Sequence, residues 1–143
     1  MDKKIAENIQ GKVEGLLLTL GGDLRIATKD QCSEVARLVG CWILNECPGC
    51  EVQVWKGELS GELAHDILVV KIDNLLYLTD PTIWQIFPES ESIFVGSGQN
   101  ALEVINLLTV KYGGTWGMSE VMKNCDERYQ RELLTTIHEN SQA

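Results

Sequence analysis

The sequence predicts an α+β fold in which helices come before and after a small antiparallel sheet. Apolar residues recur at helical spacing over residues 3–20 and again over residues 28–46. Short alternating or aliphatic segments follow between residues 51 and 80, where a period of two indicates strands. Helical patterns return after residue 100. Helices and strands that occur in separate runs are typical of an α+β architecture.

The first two helices are the clearest elements. The first covers residues 3–20, and Gly21-Gly22 is expected to end it. The second lies within residues 28–46, with Asp30 as the expected N-cap and apolar residues on one face. Residues 47–50, which read CPGC, end this helix because Pro and Gly do not continue it easily.

The strands come next in the chain. Residues 51–57 alternate between polar and apolar side chains, and residues 65–72 and 75–80 are rich in aliphatic side chains. Between the last two lies Asp73-Asn74, a pair that tolerates the left-handed backbone of a tight hairpin turn. Residues 92–95 are a candidate for one more short strand.

The last third of the chain is predicted to be helical. Residues 97–100 supply capping residues for a helix from Ala101 to about Lys111. Residues 112–117, which read YGGTWG, are expected to form a loop, and a fourth helix is expected from about Ser119 to Glu139.

Size and charge favour one globular domain that spans residues 1–143. Of these residues, 44% are hydrophobic and 23% are charged, which suits a compact unit with its own core. The net charge is −9 and there is no basic cluster, so nucleic acid is not an expected partner, since that affinity depends on Lys and Arg. The oligomeric state is left open.

Targeting signals are not evident. No apolar segment approaches the roughly 20 residues that span a bilayer, so we expect no membrane partner. The first residues are charged and lack the apolar segment of a cleaved signal peptide. We therefore expect a cytoplasmic protein, with export as an effector, by a route without a cleaved signal, as the alternative.

The hairpin carries two polar residues that a purely structural element does not need. If Asp73-Asn74 forms the turn, Asp80 lies opposite Ile67, and His65 points to the same face as Ile67. His65 and Asp80 are then diagonal neighbours at roughly 7–8 Å between backbones, within reach of their side chains. From the hairpin alone, a surface pair of polar residues at the strand ends is the favoured interpretation.

Cys32 adds a thiol to His65 and Asp80, and the three groups together suggest a chemical role. It stands at the expected N-terminus of the second helix, where free backbone N–H groups and the helix dipole stabilise a thiolate. A thiol nucleophile, an imidazole base and a carboxylate that orients the base are the components of thiol acyl transfer. The backbone N–H of Cys32 is a candidate donor to the oxyanion. The structural alternative for Cys32 is a small buried hydrophobic residue.

Residues 30–82 resemble the core of transglutaminase-like proteins, a branch of the papain-like cysteine hydrolases. The matching segments are CSEVA from Cys32, HDILVV from His65, and LTDPT, which contains Asp80. The resemblance implies a papain-like fold and a Cys32, His65 and Asp80 triad. The size is also similar to that of small bacterial papain-fold toxins and effectors, some of which deamidate glutamine in target proteins.

The expected function is therefore acyl transfer from an amide of a protein or peptide. Release of the thioester to water gives cleavage or glutamine deamidation, and release to an amine gives cross-linking. The chemistry needs no metal and no organic cofactor. Gln31, beside the nucleophile, and Trp84 and Gln85, shortly after Asp80, are the candidates for binding the oxyanion or the substrate.

Three other functions remain open at this point. The same fold serves as a binding module if the cleft is inactive. An acyltransferase that uses a thioester donor employs the same triad. A thiol redox or metal protein would rest on Cys47 and Cys50.

The cysteine content favours reduced thiols. Five cysteines without a signal peptide do not suggest a disulfide framework. A zinc site at Cys47 and Cys50 would need more ligands, for which Cys41 and Cys125 are the remaining thiols. We expect two unconstrained thiols or an occasional disulfide at residues 47–50.

Overall fold

A computed structural model describes residues 1–21 and 23–141 of the chain. The predicted α+β class is confirmed: five helices and a five-stranded antiparallel sheet make up these residues. In chain order the elements are α1 (Lys3–Gly21), α2 (Leu24–Ala27), α3 (Cys32–Glu46), β1 (Glu51–Leu59), β2 (Leu63–Ile72), β3 (Leu75–Thr79), a 3-10 turn (Ile83–Gln85), β4 (Phe94–Gly98), α4 (Ala101–Tyr112), β5 (Thr115–Val121) and α5 (Glu127–Ser141). Gly22, part of the expected end of the first helix, lies outside the described residues.

The five strands lie in the order β4-β3-β2-β1-β5. The hairpin between β2 and β3 turns at Asp73 and Asn74, as predicted, and pairs Ile72 with Leu75. Its pairing ends at Leu68 with Thr79, whereas β2 begins at Leu63. The first five residues of β2 therefore extend past β3 and leave one side of β2 open at that end of the sheet.

The two faces of the sheet have different cores. Helices α1, α3 and α5 form the layer on one face, where α3 packs on β1 and β2. Helix α4 packs against β4 and β5. The alternation of β2 distributes its side chains between the two cores: Leu68 and Val70 join the first, and Ile67 and Val69 join the second.

The start of α3 differs from the prediction by one residue. Gln31, and not Asp30, is the N-cap, and its side chain makes no capping hydrogen bond. Asp30 has a φ of 59°, in the left-handed region. The short helix α2 was not predicted. In the turn after it, the Gln31 N–H donates to the Thr28 carbonyl at 3.2 Å, and this turn places the start of α3 one residue later than expected.

The expected loop over residues 112–117 and the expected start of the last helix near Ser119 are both wrong. Residues Thr115–Val121 form strand β5, which pairs with β1 at the edge of the sheet. Helix α5 begins at Glu127, where the Asp126 carboxylate accepts a hydrogen bond from the Tyr129 N–H at 2.8 Å. Pairing with β1 satisfies the backbone groups on one side of β5, and this long-range effect overrides its local sequence pattern.

The expectation that all cysteines are reduced is also wrong. Cys41 in the middle of α3 forms a disulfide with Cys125, just before α5, and their Cα atoms are 5.3 Å apart. Within the described part of the chain, the other three cysteines, Cys32, Cys47 and Cys50, are free. The bond therefore ties two helices of the same layer together.

Across residues 1–21 and 23–141, none of the helices combines the length and the apolar character that crossing a membrane requires.

Candidate active site

His65 and Asp80 form a buried hydrogen-bonded pair at the end of the hairpin. The His65 Nε2–H donates to Asp80 Oδ2 at 2.8 Å, and both side chains are 0% exposed. This is the diagonal contact that the strand register predicts. Burial strengthens it because little water is present to screen the charges.

Further hydrogen bonds hold the Asp80 carboxylate in place. The Tyr112 hydroxyl donates to Oδ2 at 2.6 Å, and the Thr82 backbone N–H donates to Oδ1 at 3.2 Å. The Asp80 backbone N–H donates to the Ile93 carbonyl at 2.7 Å. Donors at both oxygens stabilise the ionised carboxylate and fix the plane in which His65 binds.

Aromatic rings enclose the imidazole on the α4 side of the sheet. The Tyr112 ring lies 5.8 Å from the His65 ring, and the Trp116 ring approaches edge-on at 6.5 Å, both between centroids. Gly57 pairs with His65 on one side and with Trp116 on the other. A Cβ on Gly57 would lie 2.6 Å from the Trp116 ring, so only glycine lets the indole cross β1 toward His65.

Cys32 supplies the third member of the site from α3. It is the first residue of the helix and is half-buried. Burial lowers the pKa of His65, but the Asp80 carboxylate and then the Cys32 thiol raise it by more, to about 10. With this raised pKa, His65 carries its second proton at neutral pH.

The two ring nitrogens of His65 have different surroundings. Nε2 bonds to Asp80, while Nδ1 is buried and has no hydrogen bond of standard geometry within the described residues. Nδ1 is thus the nitrogen left to face Cys32. The open side of β2, beyond the end of β3, gives the N-terminus of α3 access to this position.

Arg37 fixes α3 to the sheet beside the site. It lies five residues after Cys32, and its Nη1 contacts Asp66 Oδ2 at 3.1 Å while its Nη2 contacts Glu120 Oε1 at 2.8 Å. Nη1 also donates to the Ser33 hydroxyl at 2.7 Å. Asp66 is the chain neighbour of His65, so one guanidinium connects α3, β2 and β5.

Two of the three candidate substrate-binding residues are engaged elsewhere. The Gln31 amide is buried against α5, where Nε2 donates to the Ile137 carbonyl at 2.9 Å. Trp84 is 3% exposed, belongs to the core under α3, and donates to the Ser90 carbonyl at 2.8 Å. In this arrangement Gln31 does not contact an oxyanion and Trp84 does not line a cleft, which corrects both expectations.

The position of Gln85 is compatible with contact to a substrate. Its Oε1 is buried and has no hydrogen-bond partner among the described residues. It lines a surface depression together with Arg25 and Lys29, from the segment that precedes Cys32.

Tyr112 and Trp116 are the site residues that sequence reasoning missed. Both fall in the segment expected to be a loop. A signal was present for Tyr112, because Val104, Leu108 and Tyr112 follow each other at intervals of four, which places Tyr112 on the buried face of α4. No local pattern indicates the strand that carries Trp116.

Comparison with known proteins gives no match to any family model, curated protein or solved structure. The functional interpretation therefore rests on the geometry and chemistry of the site.

Proposed function

We propose that this protein is a thiol-dependent acyl-transfer enzyme, of papain-like and transglutaminase-like type, that acts on amides of a protein or peptide. The observation that carries the proposal is the meeting of three segments: half-buried Cys32 at the start of α3 lies beside His65, which is hydrogen-bonded to Asp80. A thiol, an imidazole and a carboxylate in this order form the components of a cysteine nucleophile.

The reaction begins with the Cys32 thiolate attacking the amide carbon. The imidazolium of His65 then donates its Nδ1 proton to the departing nitrogen, and a thioester to Cys32 remains. In the second half of the reaction, neutral His65 takes a proton from water or from an amine, which attacks the thioester and releases the thiolate. Asp80 stays ionised and keeps the ring in position.

The start of α3 supports the charge that develops on the substrate oxygen. Since the Gln31 side chain makes no capping hydrogen bond, the N–H groups of the first turn remain available there. Backbone donors aimed at an oxyanion typically contribute a large share of such catalysis. The backbone N–H of Cys32 is the closest of them to the sulfur along the chain.

The reaction type follows from the amide that is attacked and from the acceptor. Water that attacks the thioester formed from a peptide bond completes cleavage, and water that attacks the thioester formed from a glutamine side chain completes deamidation. An amine acceptor gives cross-linking. The depression lined by Arg25, Lys29 and Gln85 is the surface next to the nucleophile's segment on which we expect substrate side chains to lie.

The first experiment ranks the reactivity of the thiols. Brief treatment with iodoacetamide at neutral pH, followed by peptide mapping, should label Cys32 ahead of Cys47 and Cys50. The preference should disappear in His65→Ala, while Cys50→Ala serves as the matched thiol control. Labelling of Cys32 that is as slow as that of Cys50 would overturn the enzyme proposal and favour an inactive binding module.

The second experiment identifies the reaction. The protein is incubated with a panel of candidate proteins and peptides, and intact masses are recorded, with Cys32→Ala as the control. Paired fragments mark cleavage, conversion of a glutamine to a glutamate marks deamidation, and joined chains mark cross-linking. The same products with Cys32→Ala would contradict a role for this thiol.

A further inference from the structure

The CPGC segment lies outside the candidate active site and has a geometry of its own. The Cys50 N–H donates to the Cys47 carbonyl at 3.2 Å, which closes a four-residue turn between α3 and β1. Gly49 has a φ of 96°, the left-handed value that the third position of such a turn demands after a proline. The sequence Pro48-Gly49 therefore folds the two cysteines toward each other.

This turn sets a distance that suits a disulfide. The ends of a β-turn have Cα atoms less than about 7 Å apart, and disulfides span Cα separations of about 4.4–6.8 Å. The two thiols are already within hydrogen-bonding reach of each other. Burial and the neighbouring Cys47 thiol raise the pKa of Cys50 to about 12. Both sulfurs are free, so the pair is a dithiol in this structure.

The turn is also accessible. Pro48 and Gly49 at its tip are exposed, and a Cβ placed on Gly49 would meet nothing within 4 Å. Cys47 and Cys50 are each partly exposed. A small molecule can therefore reach the sulfurs without unfolding of α3 or β1.

We propose that Cys47 and Cys50 form a reversible disulfide by exchange with a low-molecular-weight disulfide of the glutathione type, at a site separate from Cys32. The Cys47 thiolate attacks one sulfur of the small disulfide, whose S–S bond breaks and releases one small thiol. Cys50 then loses its proton and attacks the Cys47 sulfur, which releases the second small thiol. Two protein thiols are oxidised, and one small disulfide is reduced to two thiols.

The order of the two attacks follows from the surroundings. Cys50 packs against the core and holds its proton more firmly, so Cys47 is the thiol that attacks first. Both cysteines lie at the C-terminal end of α3, where the helix dipole does not stabilise a thiolate. At a helix N-terminus the dipole stabilises the thiolate, which favours the reduced form and makes the disulfide a strong oxidant. Cys47 and Cys50 lack that stabilisation, so their disulfide should persist once it forms.

The test uses the whole protein in glutathione buffers of increasing oxidised-to-reduced ratio. After acid quenching and alkylation, cleavage following Lys, Arg and Glu releases residues 47–51 as one peptide, separate from Cys41 on residues 38–46. We expect the 47–51 peptide to change in one step from doubly alkylated to an unalkylated form whose mass is two hydrogen atoms below that of the free dithiol peptide. Dithiothreitol should reverse the change.

Two variants and one control complete the test. Cys50→Ser should accumulate a glutathione adduct at Cys47 faster than Cys47→Ser accumulates one at Cys50, and Cys32→Ala should behave as the wild type does. The proposal is wrong if residues 47–51 remain doubly alkylated at every glutathione ratio at which the Cys41–Cys125 disulfide is intact. It is also wrong if the wild-type peptide retains a stable glutathione adduct, or if Cys47 pairs with Cys32.

Discussion

At the scale of single residues, the protonation of His65 depends on two opposing effects, its burial and the groups beside it. Asp80 and Cys32 together have the larger effect, so the pKa of His65 is raised. Complete burial disfavours a charged imidazole, yet a fully buried carboxylate at 2.8 Å and a thiol on the other side favour it. Tyr112 and Thr82 donate hydrogen bonds to the Asp80 carboxylate and hold it in position. The His65–Asp80 ion pair thus depends on all of these neighbours and not on one contact.

The Tyr112 hydroxyl is the residue-scale feature that is simplest to test. Tyr112→Phe removes the donor that shares Asp80 Oδ2 with His65, so more of the carboxylate charge acts on the imidazolium and the pKa of His65 should rise further. Unfolding should become easier by about 1.5–3 kcal/mol, the usual contribution of a hydrogen bond to a charged group. Histidine NMR titration and urea unfolding measure the two effects.

Tyr129→Phe is the control for this substitution, since it removes a half-buried hydroxyl that does not contact Asp80. If both variants leave the titration of His65 unchanged, Tyr112 has only a packing role.

At the scale of elements, the sheet and α3 position different residues of the site. The β2–β3 hairpin brings His65 and Asp80 together through its register, and α3 brings Cys32 through its N-terminus. Strand β5 encloses the His65 ring on one side, because Trp116 reaches His65 across Gly57 of β1. Each element contributes a different component, so the site needs all of them to be docked.

Gly57→Ala tests the contact between β1 and β5. The new Cβ would lie 2.6 Å from the Trp116 ring, so the indole must move away from His65. We expect a loss of about 1–3 kcal/mol in unfolding free energy, as for other overpacked sites, and slower alkylation of Cys32.

Gly117→Ala, in the neighbouring strand β5, is the matched control, since a Cβ there meets nothing within 4 Å. Equal effects of the two substitutions would show that strand propensity, and not the Trp116 ring, is responsible.

Sequence reasoning succeeded for elements whose signals are local. The Asp73-Asn74 turn determines the register that places His65 diagonal to Asp80, and both are readable from adjacent residues. It failed where partners are distant in the chain. Strand β5 exists because β1 offers an edge, and the Gln31 amide is bonded to α5, more than a hundred residues away. Local patterns do not carry such information.

At the scale of the whole molecule, the pKa of His65 links stability to pH. The folded-state pKa of about 10 lies above the ordinary value of 6.5, so the folded protein binds a proton that the unfolded chain releases between these values. The contribution is complete below about pH 6.5 and is lost as the pH rises through about 10. Its size is at most about 5 kcal/mol at 1.36 kcal/mol per unit.

Urea unfolding across this alkaline range measures the dependence. Wild-type stability should fall with rising pH, and His65→Gln should show a flatter profile because it has no such proton to lose. Parallel profiles would mean that His65 is not protonated in the folded protein.

The Cys41–Cys125 bond should contribute to global stability. It closes a sequence separation of 84 residues, for which the loss of chain entropy in the unfolded state corresponds to about 4.6 kcal/mol, while measured values are commonly about 2–4 kcal/mol. Cys41→Ala/Cys125→Ala should therefore unfold at lower urea concentration than the wild type. Cys47→Ala/Cys50→Ala under reducing conditions, in which Cys41–Cys125 is checked to be intact, is the control. No difference between the double variants would contradict the prediction.

The position of Arg37 has a consequence for how natural variants of this protein would be interpreted. Its ion pair with Asp66 joins α3 to the strand residue beside His65, so the spacing of sulfur and ring depends on a side chain that touches neither. Replacement of Arg37 would leave Cys32, His65 and Asp80 in the sequence and still change how α3 docks beside His65. A survey of variants limited to those three residues would overlook this effect.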